Sequence, residues 1–333
     1  MHLLHDLAIQ PFIGRNLMIQ GLLTNVTDMT LDELTDANTS TSFADPEVGR
    51  LDGLVDLGRY PINRPGNPSW AALVDRSRAE LSEQGSITLR GFLTQEALEA
   101  MSAEITAIAQ HVPIREHNGS VYARTDLETD LAPDDPRCVK MMWHAGHVTR
   151  DMLPPYSPTQ RLYVSAAFKA FLAAIVGQER IFEYADPLAG LVATILPPGG
   201  RYPWHYDTNE YVVTIMIQPP DFGGTFEYHR NLRAPGHENL DGLAAVLSGR
   251  PGEPPCRVNN APGDLQLFLG RYSLHRVTDV GGATARQVLV LSYGDRPGVI
   301  GPVDRTRSVY GRITEAHLVA EQARLAENDG LIL

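Results

Sequence analysis

The sequence predicts an α+β fold in which an antiparallel barrel or jelly roll follows a helical half. From about residue 181 the chain breaks into short apolar runs separated by turn signals, the texture of many short antiparallel strands. Ahead of them, two stretches repeat their apolar residues at helical spacing. A further amphipathic stretch near the carboxyl end, Thr314 to Glu327, reads as a last helix packed outside the barrel.

Residues 1–66 are mixed in character. "TDANTSTSFADPEVG" reads as loop and "GRYPINRPGNPSW" as a Pro/Gly connector, which leaves an extension with no assignable element. A first helix follows, with Trp70, Leu73, Val74, Ser77 and Leu81 on one face, Ser69 as its N-cap and Gly85 as its stop. "SITLRGFL" is a short strand. A second helix runs from Thr94 through Leu98, Met101, Ile105 and Ile108. Residues 111–160 are rich in His, Asp, Arg and Pro without a sustained period, and are expected to form long loops over a site. A helix at "VSAAFKAFLAAIVG" closes the helical layer, about 67–180. The strand region, about 181–297, contains "RIFEY", "LVATIL", "YVVTIMIQ", "TFEYH", "LQLFL", "SLHRVTDV" and "RQVLVLSY". With no internal repeat, residues 67–333 are expected to make a single catalytic domain.

Composition narrows the partners. A formal charge of -12 on 333 residues disfavours nucleic acid, whose binding relies on Lys and Arg releasing counterions; a small molecule is the expected ligand. Cys138 and Cys256 lie far apart with no CxxC, so neither a disulfide framework nor a cysteine zinc site is indicated, and a reducing cytoplasm fits. The amino-terminal "MHLLHDLAIQPFIGRNLMIQGLL" is interrupted by Asp6 and Arg15 and reads as neither a signal peptide nor an anchor. No segment has the 18 or so apolar residues of a membrane span.

The chemistry starts at "WHYDTNE", where His205 and Asp207 stand two apart. By itself the pair says little, since about one His-x-Asp/Glu is expected by chance in a chain of this composition. Seventy residues on, "RYSLHRVTDV" places His275 in another strand, and eleven further comes Arg286. Residues i and i+2 on a strand face the same side. His205, Asp207 and His275 therefore form a candidate two-histidine, one-carboxylate set, the ligand pattern of non-haem Fe(II) oxygenases.

With the turn "PPDFGGTFEY" and the segment "PGDLQLF", these residues resemble the Fe(II)- and 2-oxoglutarate-dependent dioxygenases over about residues 190–297. "GGTFEYHRNLR" and "GRYSLHRVT" are similar to the group acting on free amino acids, which includes hydroxylases and radical halogenases. The resemblance implies a double-stranded β-helix, a cupin-like jelly roll, with supporting helices. It implies Fe(II) on His205, Asp207 and His275, 2-oxoglutarate held by Arg286, and O2 as oxidant, with succinate and CO2 released. The family's usual Ser or Thr two residues after the arginine is replaced by Val288, so Thr214 or Tyr293 is expected to supply the second contact to the cosubstrate. Radical halogenases of the family carry Gly or Ala at the carboxylate position, so Asp207 implies hydroxylation or another oxidation. Rival readings are a protein or nucleic-acid demethylase of the same fold and a non-catalytic cupin-like metal binder.

Other polar residues invite site readings. His229 reads as a satisfied strand residue. His144 and His147 in "MMWHAGHV" lack a third ligand nearby and read as loop or core. The acidic "VYARTDLETDLAPDDPR" reads as a solvated loop, or as a lid whose carboxylates meet a cationic substrate group.

Overall fold

The computed structural model describes residues 50–122, 131–132, 134–250 and 252–327. Most of the expected amino-terminal extension, and most of the acidic segment proposed as a lid, lie outside the described residues.

Helix α1 (Pro68–Gln84) begins where Asn67 accepts a hydrogen bond from the Ser69 amide, with Pro68 at the first helical position. The cap is therefore Asn67 rather than Ser69. Proline needs no partner there because its missing N–H would be unpaired anyway. Gly85 ends the helix at φ 71°, a left-handed cap favourable to glycine. Strand β1 (Ser86–Leu89) leads to α2 (Gln95–Ala109), capped by Thr94. Met101 and Ile105 of α2 are fully buried. Two further helices follow, α3 (Pro158–Val164) and α4 (Ala166–Val176), where one had been expected; the break falls at Ser165, whose hydroxyl caps α4.

The span expected to be loops contains β2 (Arg115–Gly119) and β3 (Met141–Thr149). This is a correction to both the loop and the helical-layer expectations. The strand texture then continues with β4 (Phe182–Glu183), β5 (Leu191–Leu196), β6 (Tyr202–His205), β7 (Val212–Gln218), β8 (Phe222–Gly223) and β9 (Phe226–His229). A helix not foreseen, α5 (Leu240–Leu247), precedes β10 (Cys256–Val258), β11 (Leu265–Phe268), β12 (Leu274–Val277), β13 (Val280–Gly281), β14 (Arg286–Leu291) and β15 (Tyr293–Gly294). Helices α6 (Val303–Tyr310) and α7 (Glu315–Glu327) complete the described chain.

The strands make two main antiparallel sheets. One has seven strands in the order β1-β11-β7-β14-β5-β3-β2; the other has four, β10-β9-β12-β6. Neighbouring strands are distant in sequence, the connectivity of a double-stranded β-helix. The outer face of the larger sheet packs on the helices. Val213, Ile215, Leu289, Leu291, Ala193 and Ile195 join Met101, Ile105, Phe168 and Phe171 in one buried core, each large side chain contributing about 1.5–3 kcal/mol by leaving water. The alternate residues, Thr194 and Arg286 among them, face inward. The sheets meet face to face through Phe226, Phe268 and His275, with ring centroids 4.9–5.6 Å apart. Among the described residues no helix is long and apolar enough to cross a membrane.

Candidate active site

His205 ends β6, and His275 lies directly opposite it on β12. Both imidazoles therefore leave the smaller sheet on its inner face, with ring centroids 4.0 Å apart. Each is oriented from behind in the same way. Nδ1 of His205 donates to the Pro203 carbonyl at 2.8 Å, and Nδ1 of His275 to the Ser273 carbonyl at 2.9 Å. With that nitrogen occupied, Nε2 presents a lone pair to the cavity, the tautomer a metal requires.

Asp207 lies beyond the end of β6 rather than within the strand, yet its carboxylate returns to the same side. Its amide donates to the Gly270 carbonyl at 3.1 Å, and a β-carbon on Gly270 would stand 1.8 Å from Asp207 Oδ2. Only a glycine lets the backbone come this close. The carboxylate oxygens sit 3.8 Å from His205 Nε2 and 3.5 Å from His275 Nε2. One ligand atom from each of the three residues falls within 4.8 Å of the others.

The electrostatics fit a cation. Asp207 Oδ2 is buried with no hydrogen-bond partner, a costly state for a carboxylate. Burial raises the Asp207 carboxyl, but His275 and then His205 more than reverse this, holding it at about 2. Burial, assisted by His275, lowers His205 to about 3, so the imidazole is neutral and its lone pair free near pH 7. Two imidazole nitrogens and one carboxylate suit Fe(II) and leave coordination positions open.

A buried cation faces the same interior. Arg286 is 7% exposed, its Nε has no partner, and among the described residues no carboxylate pairs with it. Burial lowers its pKa to about 10, with Tyr202 opposing, which leaves the guanidinium charged. An unpaired buried cation of this kind calls for an anion, and a guanidinium fork matches a carboxylate. The turn "PPDFGG" makes room for it: Gly224, at φ 58°, lies where a β-carbon would meet the Arg286 Cδ at 3.1 Å.

The two expected second contacts are not brought to Arg286. Thr214 pairs with Val290, four residues from Arg286 and about 13 Å along the strand. Tyr293 is buried among the helices, its hydroxyl donating to the Tyr163 carbonyl at 2.9 Å. The pleat explains both misses: polar character was visible in the sequence, but the distance along the strand and the face were not. Thr194 and Tyr202 occupy the place instead. Thr194 pairs with Val288, and the Tyr202 hydroxyl hydrogen-bonds Thr194 and feels the charge of Arg286. The lone threonine in the buried run "LVATIL" was the available signal for one of them.

His144 and His147 lie three apart on a strand and so face opposite sides. His144 points toward Glu116, 3.9 Å away, whereas His147 points inward to Tyr202. Trp143, two residues along from Ala145 on the same inner face, lies 4.6 Å from the His205 ring. His229 is half-buried against Trp204, with centroids 5.2 Å apart, away from the triad. At the mouth, Arg305 of α6 donates to the Thr208 hydroxyl, next to Asp207.

Against known proteins, the sequence profile of the Halogenase D family matches residues 70–303. No curated protein matches the chain significantly. Similar solved structures include a 2OG-Fe(II) oxygenase family oxidoreductase from Burkholderia pseudomallei, at 18% identity and TM-score 0.44 over 71% of this chain and 94% of that one. The carbocyclase SnoK from nogalamycin biosynthesis, described as non-haem and alpha-ketoglutarate dependent, aligns at 16% identity and TM-score 0.48 over 75% and 97%. AviO1 from Streptomyces viridochromogenes aligns at 16% and 0.46 over 68% and 97%. The chain belongs to the Halogenase D family, within the Fe(II)- and 2-oxoglutarate-dependent oxygenases.

Proposed function

We propose that this oxygenase hydroxylates, or otherwise oxidises, an unactivated C–H bond of a cytoplasmic small molecule, a free amino acid or a biosynthetic intermediate, with residues 67–333 acting as one catalytic domain. The observation that carries the reading is the carboxylate of Asp207, placed with His205 and His275 around one point. His205, Asp207 and His275 would hold Fe(II). When bound, Fe(II) with 2-oxoglutarate and O2 supplies the oxidant for hydrogen abstraction, succinate and CO2 being the coproducts.

Around that chemistry, each residue of the chain has a part. Pro203 and Ser273 carbonyls fix the two imidazoles, Gly270 seats Asp207, and Arg286 with Tyr202 and Thr194 receives the far carboxylate of 2-oxoglutarate. Trp143 and Phe268, packed on the two ligating rings, exclude water from them. The family's name raises halogenation as a second outcome. Asp207 opposes it: the carboxylate fills the position a halide needs and lowers the positive charge that attracts one. The net charge of -12 likewise opposes a nucleic-acid substrate.

The test is a screen of free amino acids and related metabolites with Fe(II), 2-oxoglutarate and 18O2, with chloride present. Substrate-dependent succinate and a product that gains one 18O, or loses two hydrogens, supports the proposal. A chlorine isotope pattern in the product, or no succinate with any substrate class, overturns it.

A further inference from the structure

Behind Arg286 a polar chain crosses between the two sheets. His147 on β3 and Tyr202 on β6 meet at 2.5 Å, Nε2 to hydroxyl, and Thr194, which pairs with His147 across β3 and β5, hydrogen-bonds the same tyrosine. We propose that His147 is a positioning residue for the cosubstrate: donating from Nε2 to the Tyr202 oxygen, it turns the Tyr202 proton toward the carboxylate that Arg286 holds. The inference rests on the reading of the Arg286 pocket as the seat of 2-oxoglutarate.

The number of protons available fixes the direction of the bond. A tyrosine hydroxyl has one proton to give and two lone pairs. Were His147 the acceptor, that proton would be consumed within the protein, and Tyr202 would face an incoming carboxylate with lone pairs only. With His147 as donor, the proton is free for the carboxylate. His147 carries a single N–H, because burial, followed by His117 and Arg115, lowers its pKa to about 4. Which nitrogen bears it therefore decides which way Tyr202 points. Among the described residues no side chain hydrogen-bonds the Arg286 guanidinium, whose Nε has no partner, so the orientation of Tyr202 sets how many donors an anion meets. His147 itself lies two strands from Arg286, with β5 between, and packs against Tyr310, so it acts through Tyr202.

The pairing also makes the pocket selective for a cosubstrate with a second carboxylate. The keto acid end of the molecule would be held by the metal at the triad and would be indifferent to this chain of bonds.

The experiment is calorimetric titration of the Zn(II)-loaded protein with 2-oxoglutarate and, separately, with 2-oxobutyrate, which has the keto acid end but no far carboxylate. His147→Asn and Tyr202→Phe should each raise the Kd for 2-oxoglutarate about tenfold or more, the effect of losing a hydrogen bond to a charged group. Binding of 2-oxobutyrate should not change. His147→Gln, whose amide nitrogen stands near the Nε2 position, should restore most of the affinity. The double variant His147→Asn/Tyr202→Phe should be no weaker than Tyr202→Phe alone, because both act through one proton. Equal losses for the two ligands, additive losses, or no rescue by Gln would each overturn the positioning role. Wild-type protein that binds 2-oxoglutarate no better than 2-oxobutyrate overturns the reading of the pocket, and the role of His147 with it.

Discussion

Gly270 holds no ligand and makes no side-chain contact, yet the proposed third ligand, Asp207, depends on it. Its missing β-carbon is the space that Asp207 Oδ2 occupies. Gly270→Ala should therefore leave the fold and both histidines in place while displacing the carboxylate, and Fe(II) affinity should fall by about 10–100-fold, the scale set by disturbing a ligand's support. Titration of the apoprotein with a divalent metal checks this; unchanged affinity would show that the loop yields at no cost. Asp207→Gly asks a different question of the same spot. Removing the carboxylate opens a coordination position, so hydroxylated product should be lost and, with chloride supplied, a chlorinated product should appear. Persistent 18O incorporation in this variant would remove Asp207 from the ligand set. At this scale the sequence was most legible where function dictates fixed offsets. The steps of two from His205 to Asp207 and of eleven from His275 to Arg286 are such offsets. Tyr202 and Thr194 have no such spacing, because they reach Arg286 through the fold rather than along the chain.

At the level of elements, helices were easier to read than the strands lining the site. The apolar faces of α1 and α2 repeat at helical spacing because each lies against a continuous hydrophobic core. Strand β3 hid its period because both of its faces mix apolar and polar residues, Trp143, Ala145 and His147 on the inner one and Met142, His144, Gly146 and Val148 on the other, so alternation of apolar and polar residues never arises. The histidines and glycine in "MMWHAGHVT" gave a sheet strand the composition of a loop. The end of the chain shows an element anchored by a fully buried polar contact. His317 of α7 meets Asp186 at 3.1 Å, both fully buried, and Asp186 also accepts from the amides of Leu188, Ala189 and Gly301. Asp186 thus ties α7 to the residues preceding β5 and to those preceding α6. His317→Ala should cost about 1–3 kcal/mol by leaving a buried carboxylate short of a donor. Loss of hydrogen-exchange protection concentrated in α6 and α7 is the expected signature; uniform loss across the sheets would place the pair in the global core instead.

Over the whole molecule, the site exists only where the two sheets face one another. The contacts that complete it, Trp143 with His205, His147 with Tyr202 and Phe268 with His275, join residues 55 or more apart in sequence or lie between sheets, and no local pattern announces them. This construction has a consequence for acid stability. An imidazole in an unfolded chain titrates near 6.5, whereas His147 in the fold titrates near 4, because burial first and then His117 and Arg115 disfavour its charge. Its folded-state pKa is thus depressed, so between these values the unfolded chain binds the proton and the folded one does not. Folding stability rises with pH across that window, and conversely falls as pH drops below about 6.5, levelling off below about 4. His147→Gln replaces the titrating group with a neutral amide and removes this contribution while leaving every other titrating group as it was. Urea unfolding of metal-free protein at pH 7.5 and 5.5 should give a larger drop in midpoint for wild type than for the variant. Equal drops would mean that His147 accepts its proton in the fold as readily as in the unfolded chain, and hence that its surroundings are wetter than the packing of β3 against β6 implies.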